Sequence, residues 1–192
     1  MFKKMLVSVL AASMIFSLTA CSNNKGNNGG NNAAQESQGN QTVLTGSAAE
    51  VLQSVVADTE FAKEMALGEA MEIDLTDADA VPYYTGLKSA DNVEEAAFVE
   101  PMMGSIPLSI VLVKAKDGAD IDAMKEEILN GVDFRKWICV EAEKVVVNNS
   151  GNYILMAMAS ESNTEDAYNA FVAKANDLVG EKLELATGGE SF

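Results

Sequence analysis

The chain has no histidine, two cysteines, three prolines and only 6% aromatic residues. Each shortage excludes something. Without histidine there is no imidazole base, no serine–histidine or cysteine–histidine pair, and no histidine metal ligand. Two cysteines cannot make a disulfide scaffold. Bases are scarce too: 13 Lys and Arg stand against 29 Asp and Glu, a formal charge of −16. Nucleic-acid binding needs a basic surface that displaces counterions from phosphates, so no nucleic-acid partner is expected. What the chain does have is 48% hydrophobic residues in 192. That share is too high for a disordered chain and large enough for a folded core.

The first twenty residues read as an address. Lys3 and Lys4 form a positive start, and an apolar run from Met5 to Leu18 follows. The run suits the core of a signal peptide better than a spanning helix, which needs about 20 apolar residues. It ends in Leu18-Thr19-Ala20-Cys21. This tetrad resembles the lipobox of bacterial lipoproteins. The resemblance implies cleavage before Cys21 and a diacylglyceryl group on its thiol, so that membrane lipid is the first expected partner. An ordinary secretory signal with a chance cysteine at its cleavage site is the competing reading. Two acyl chains hold a protein firmly where one holds it marginally. The expected location is the extracytoplasmic face of the cell membrane. Cleavage would remove two lysines and no acid, leaving the mature chain more acidic still and Cys139 as its one free thiol.

Residues 21–46 comprise the lipidated cysteine and an Asn-, Gly- and Gln-rich tether. Such a composition cannot bury enough surface to offset chain entropy. A flexible spacer of this kind, about 20 residues long, has a mean span of roughly 25 Å. Residues 47–192 then have the size of one domain.

Within that domain, apolar spacing predicts one or two helices over 48–66. Thr76 or Asp77 is the expected cap of a short helix that Gly86 ends. Strands are expected over Ala96–Met102, Leu108–Lys116, Glu143–Asn148 and Asn152–Ala159, the last two joined at Asn149-Ser150-Gly151. A helix capped by Asp120 follows the first pair and stops or bends at Gly131. A helix capped by Asn163 follows the second and ends at Gly180. The pattern reads strand–strand–helix twice. The expected fold is α+β: an antiparallel four-stranded sheet with helices over one face and extra N-terminal helices.

Several landmarks also resemble a family of exported bacterial proteins catalogued only as a domain of unknown function and found mainly in clostridial-type Gram-positive organisms. They are Ile73-Asp74-Leu75, Tyr83-Tyr84 with Gly86-Leu87, Glu100-Pro101-Met102, the run Ile110 to Asp117, Trp137, and the hairpin Val145-Val146-Val147 to Tyr153-Ile154-Leu155. The chain departs from the family at Pro107-Leu108-Ser109, where members often carry a glutamate, and at Val140, where they often carry a tyrosine. The resemblance implies export and a fold, and no activity.

The chemistry-bearing residues form no catalytic set. Asp74, Asp77 and Asp79, and again Asp117, Asp120 and Asp122, have oxygen ligands for calcium. They lack the EF-hand spacing, and helix capping is the better use. Glu94-Glu95, Glu126-Glu127, Glu141 and Glu143 could supply a carboxylate pair for glycoside hydrolysis, which needs two carboxyls about 5–10 Å apart; solvated surface acids are the simpler reading. Cys139 lies between Ile138 and Val140, a setting that predicts packing as a small hydrophobe. Tyr83-Tyr84 and Met102-Met103 are expected to pack in the core or at a strand edge, and an exposed sticky patch is the alternative. No catalytic, cofactor-binding or metal residue is assigned; Cys21 is the one modification site. The sequence thus reads as a non-enzymatic, lipid-anchored binding or envelope-accessory module for an unknown protein or small molecule. The rival is a small carboxylate- or metal-dependent envelope hydrolase.

Overall fold

The computed structural model describes residues 44–65 and 67–187. The expected signal peptide, Cys21 and the expected tether up to residue 43 lie outside the described residues. The last three residues before 47 do not behave as tether: Leu44 is buried, and the Gly46 carbonyl accepts a 2.6 Å hydrogen bond from the Tyr153 hydroxyl.

Local signals explain most of the helices. Ser47 and Glu50 form a reciprocal capping box at the start of α1 (Ala48–Ala57), which buries Val51, Leu52, Val55 and Val56 on one face. Thr59 caps the short α2 (Glu60–Glu64). Strand β1 (Met71–Glu72) precedes α3 (Ala80–Thr85), which Gly86 ends at φ +78°, a left-handed conformation that glycine adopts without strain. Then come β2 (Val93–Val99), β3 (Ser109–Ala115) and α4 (Ile121–Gly131), with the Asp120 carboxylate accepting from the Ala123 N–H. Strands β4 (Lys144–Ser150) and β5 (Tyr153–Ala159), α5 (Glu161–Lys174) and β6 (Leu183–Ala186) complete the described chain.

The four-stranded expectation is wrong. The sheet has six antiparallel strands in the order β1-β2-β3-β5-β4-β6. Both additions are edge strands. β1 pairs Met71 with Phe98 and Glu72 with Ala97. β6 pairs Leu183 to Ala186 with Val147 to Lys144. Two and four residues carry too little alternation to be told from loop, so pairing with a formed sheet is what makes them strands.

The two helices that follow the strand pairs were expected over one face, with the leading helices over an edge or the remaining surface; instead α4 and α5 lie on opposite faces. α1, α2 and α5 cover the face that presents Ala97, Ile110, Leu112, Leu155 and Ala157. The other face presents Phe98, Val111, Val113, Ile154 and Met156 to α3 and α4. The cause is the composition of the central strands. β3 is buried at every position except Lys114, and β5 at every position. A strand apolar on both sides needs cover on both sides.

Smaller corrections have local causes. α5 is capped by Ser160, whose hydroxyl accepts from the Asn163 N–H; Asn163 is its third residue, and the helix stops at Lys174, short of Gly180. α3 starts later than Thr76 or Asp77, although the Asp77 carboxylate does accept from the N–H groups of Asp79 and Ala80. The first central strand begins at Val93 and ends at Val99, short of Met102. Among the described residues no helix is long and apolar enough to cross a membrane.

Candidate functional site

Three segments far apart in sequence meet at one end of the second face. Beyond a bulge between Val93 and Glu95, β2 and β3 stay in register from Glu95 to Val99, which pairs with Ile110, so Glu100 and Ser109 emerge at the same end. α3 lays Tyr84 on Phe98, ring over ring at 4.0 Å, with Tyr83 edge-on to Tyr84 at 4.8 Å. The segment between α4 and β4 closes over them. Its path is fixed by the Ala142 N–H donating to the Phe134 carbonyl and by the Arg135 side chain on Glu141 at 2.8 Å. From this segment Lys136 reaches inward.

The Lys136 ammonium is the centre of the cluster. It donates to Glu100 Oε1 at 2.5 Å and to Ser109 Oγ at 3.0 Å. It lies 5.0 Å from the Tyr83 ring centre, 5.5 Å from Tyr84 and 5.3 Å from Trp137. Its side chain is 3% exposed and that of Glu100 is 17% exposed. Burial pushes the ammonium down from its ordinary value, and Glu100 pulls it back toward the charged form. The two tyrosine hydroxyls are pushed up, by burial first and then by Glu100. Cation–π contacts contribute about 0.5–2 kcal/mol each when desolvated, so the cluster binds three chain segments to one charge.

A serine within hydrogen-bond reach of a buried lysine has the outline of a serine–lysine dyad. Two features oppose that use. Ser109 is fully buried, out of reach of a substrate. Glu100 sits on the same ammonium and stabilises its protonated form, whereas a general base must be neutral. The arrangement is a brace.

Large apolar side chains on the braced segments are exposed. Tyr83 is 52% exposed, Met102 98%, Met103 62% and Ile138 82%. All four lie on the braced segments, within three residues of Glu100 or Lys136 or on α3 itself. The core-packing expectation thus holds for Tyr84 alone; Tyr83, Met102 and Met103 take the exposed alternative. Cys139 is corrected as well: it is exposed, at φ +64°, because the turn after Trp137 directs it outward.

The other candidates are dispersed. Asp74 accepts from the Thr76 hydroxyl and N–H, which hold its carboxyl below the usual range. Asp77 and Asp120 accept from backbone N–H groups at helix starts. Among the described residues no group of three or more acids or cysteines is placed to hold a metal. Glu94 and Glu95 pair with Lys114, Glu127 accepts from the Lys88 N–H, and Glu143 from the Glu161 N–H. Glu94 and Glu95 converge on Lys114, whose charge occupies them, and among the described residues no third acid joins them in a metal-holding group. Sequence reasoning missed Lys136 and Ser109 and saw Glu100 only as a family landmark. The available signal was a lysine in a loop segment rich in large apolar residues, Phe134, Trp137 and Ile138.

A second charged cluster ties β6 to the body. Glu165 bonds Lys144 at 2.5 Å and Lys182 at 2.9 Å, and Glu184 bonds the same two lysines at 3.2 and 3.0 Å. The lysines hold both carboxyls below their ordinary values. A depressed folded pKa stabilises above the unfolded value and loses that contribution as pH falls through the folded one. Acidification from neutrality to about pH 3 should therefore release β6 before the central strands; a half-exposed cluster of this kind is worth about 1 kcal/mol or less. Amide exchange should accelerate at Leu183–Ala186 while β3 stays protected. Equal acceleration in both strands would contradict the tether.

No family model, curated protein or solved structure matches the chain.

Proposed function

We propose that this protein is a lipid-anchored extracytoplasmic lipoprotein that acts by binding, without catalysis, through the end of its domain braced by Lys136. The likeness of residues 1–21 to a lipoprotein signal supports both the anchor and the location. One observation carries the binding surface: Tyr83, Met102, Met103 and Ile138 are each exposed, on segments that meet at the buried Lys136–Glu100 pair and its aromatic neighbours. Several large apolar side chains exposed on meeting segments are the kind of surface that binds a partner when they join into one patch. Rigid support lowers the entropy lost on binding.

The anchor is tested by Cys21→Ala. The native chain should fractionate with membranes and enter the detergent phase, and the variant should pass almost wholly into the medium. A variant that stays with the membrane contradicts lipidation at Cys21. The surface is tested by a photo-crosslinking residue at position 103, with position 64 on α2 as control, on intact cells. Discrete adducts are expected at 103 and not at 64; equal labelling at both sites contradicts a localised contact surface.

A further inference from the structure

The methionines divide sharply by exposure. Met124, Met156 and Met158 are packed between the sheet and its α3–α4 cover, each at most 4% exposed. Met102 and Met103 lie in the connection between β2 and β3. Among the described residues they are the two most exposed methionines. Close packing keeps solutes from a buried thioether, whereas one in water meets any dissolved oxidant. Oxidation therefore reaches this connection before it reaches the core.

We infer that Met102 and Met103 are a reversible oxidation site, at which a peroxide or a hypohalous acid makes sulfoxides and so switches off contact through the braced end. The inference rests on the binding reading and adds regulation to it. In the oxidation step the sulfur gives an electron pair to a peroxide oxygen. A sulfur–oxygen bond forms, the oxygen–oxygen bond breaks, and the remaining hydroxide leaves with a proton as water; from a hypohalous acid the halide leaves instead. The sulfur is oxidised and the oxidant reduced. A methionine sulfoxide reductase reverses the step, its two thiols becoming a disulfide while the oxygen departs as water. The placement of the pair suits a switch. A sulfoxide replaces a flexible apolar side chain with a polar one, which removes the property that fits methionine to a contact. Met102 is two residues from Glu100, but its side chain lies in water, clear of the buried Lys136–Glu100 pair. The fold therefore survives a change that the surface does not. Oxidation of Met156 or Met158 would instead put a polar oxygen into a packed core.

The test treats the full chain with hydrogen peroxide and maps the added oxygen by mass spectrometry. Cys139→Ser serves as the background, because its exposed thiol would otherwise compete for the oxidant. Met102 and Met103 should each gain one oxygen about ten times faster than Met124, Met156 and Met158. A methionine sulfoxide reductase should remove it. The melting temperature and the Trp137 fluorescence should not change. Equal rates at exposed and core methionines, or a fall in melting temperature once only Met102 and Met103 are oxidised, overturn the inference. The consequence for binding is read on intact cells with a photo-crosslinking residue at position 138, which leaves both methionines in place. Peroxide should abolish its adducts. The Met102→Leu, Met103→Leu double variant should form the same adducts and keep them under peroxide, since leucine is apolar and cannot be oxidised. Adducts that survive peroxide in the methionine protein, or that peroxide abolishes in the leucine variant too, overturn the switch. Absence of adducts before any peroxide contradicts the binding reading, and with it the switch; the mass spectra still decide separately whether the pair is an oxidation site.

Discussion

Lys136→Met should lower the unfolding free energy by about 3 kcal/mol, because removing one partner of a buried ion pair leaves the other charge uncompensated. The stranded group is Glu100, whose side chain is 17% exposed; the low end of the usual range applies for that reason. Glu100→Gln should cost about as much by the opposite route, since an ammonium only 3% exposed then keeps Ser109 as its sole hydrogen-bond partner besides the amide. The double variant decides the issue. With both charges gone, the methionine packs against Tyr83, Tyr84 and Trp137, and the loss should fall to about 1 kcal/mol. Denaturant unfolding of the four proteins closes the cycle. Trp137, the chain's one tryptophan, lies 5.3 Å from the ammonium and reports the same event locally by its fluorescence. Single-variant losses that simply add would mean that Lys136 and Glu100 do not interact.

Gly131→Ala should be comparably damaging for a purely steric reason. A Cβ at residue 131 would lie 1.9 Å from the Gly86 carbonyl oxygen and 2.8 Å from its carbon. Both are backbone atoms and cannot swing aside. The contact joins the end of α4 to the end of α3, and Gly86 is itself held close: a Cβ there would lie 2.8 Å from the Ile128 carbonyl oxygen. Relief requires α3 to separate from α4, which also carries Tyr83 and Tyr84 away from Lys136. Overpacking of this kind costs about 3 kcal/mol, equivalent to a fall in melting temperature of about 6–12 °C for a domain of this size. Gly104→Ala is the control, since nothing lies within 4 Å of the added methyl; it should leave the melting temperature unchanged. A Gly131→Ala protein that melts like the native one would show that the two helix ends do not touch in solution.

These two results bear on one design. Gly131 lets α3 approach α4, α3 then sets its tyrosines above the sheet, and the segment after α4 returns Lys136 beneath them. The exposed Met102, Met103 and Ile138 are held in place by that chain of contacts. Weakening either joint should loosen the surface without touching the residues that form it.

Much of this architecture is legible in the sequence. Capping at Asp120, the stop at Gly86 and the four apolar strands follow from local rules, because a cap or an apolar run acts within one or two turns of chain. The cover on both faces is also legible in principle: Ile110-Val111-Leu112-Val113 has no polar side, and a strand without one cannot lie open to water. The edge strands are not. Met71–Glu72 and Leu183–Ala186 become strands only through hydrogen bonds to β2 and β4, and no local energy in so few residues selects that state.

The site divides in the same way. Composition by itself settled the shortage of bases, the lack of imidazole chemistry and the presence of a foldable apolar core. Those are sums over residues and need no geometry. The pairing of Lys136 with Glu100, 36 residues away, and its seat between Tyr83, Tyr84 and Trp137 were decided by tertiary structure alone. A charge enters a core only where the whole fold supplies its counter-charge and its rings at once, and that coincidence exists in space and not along the chain.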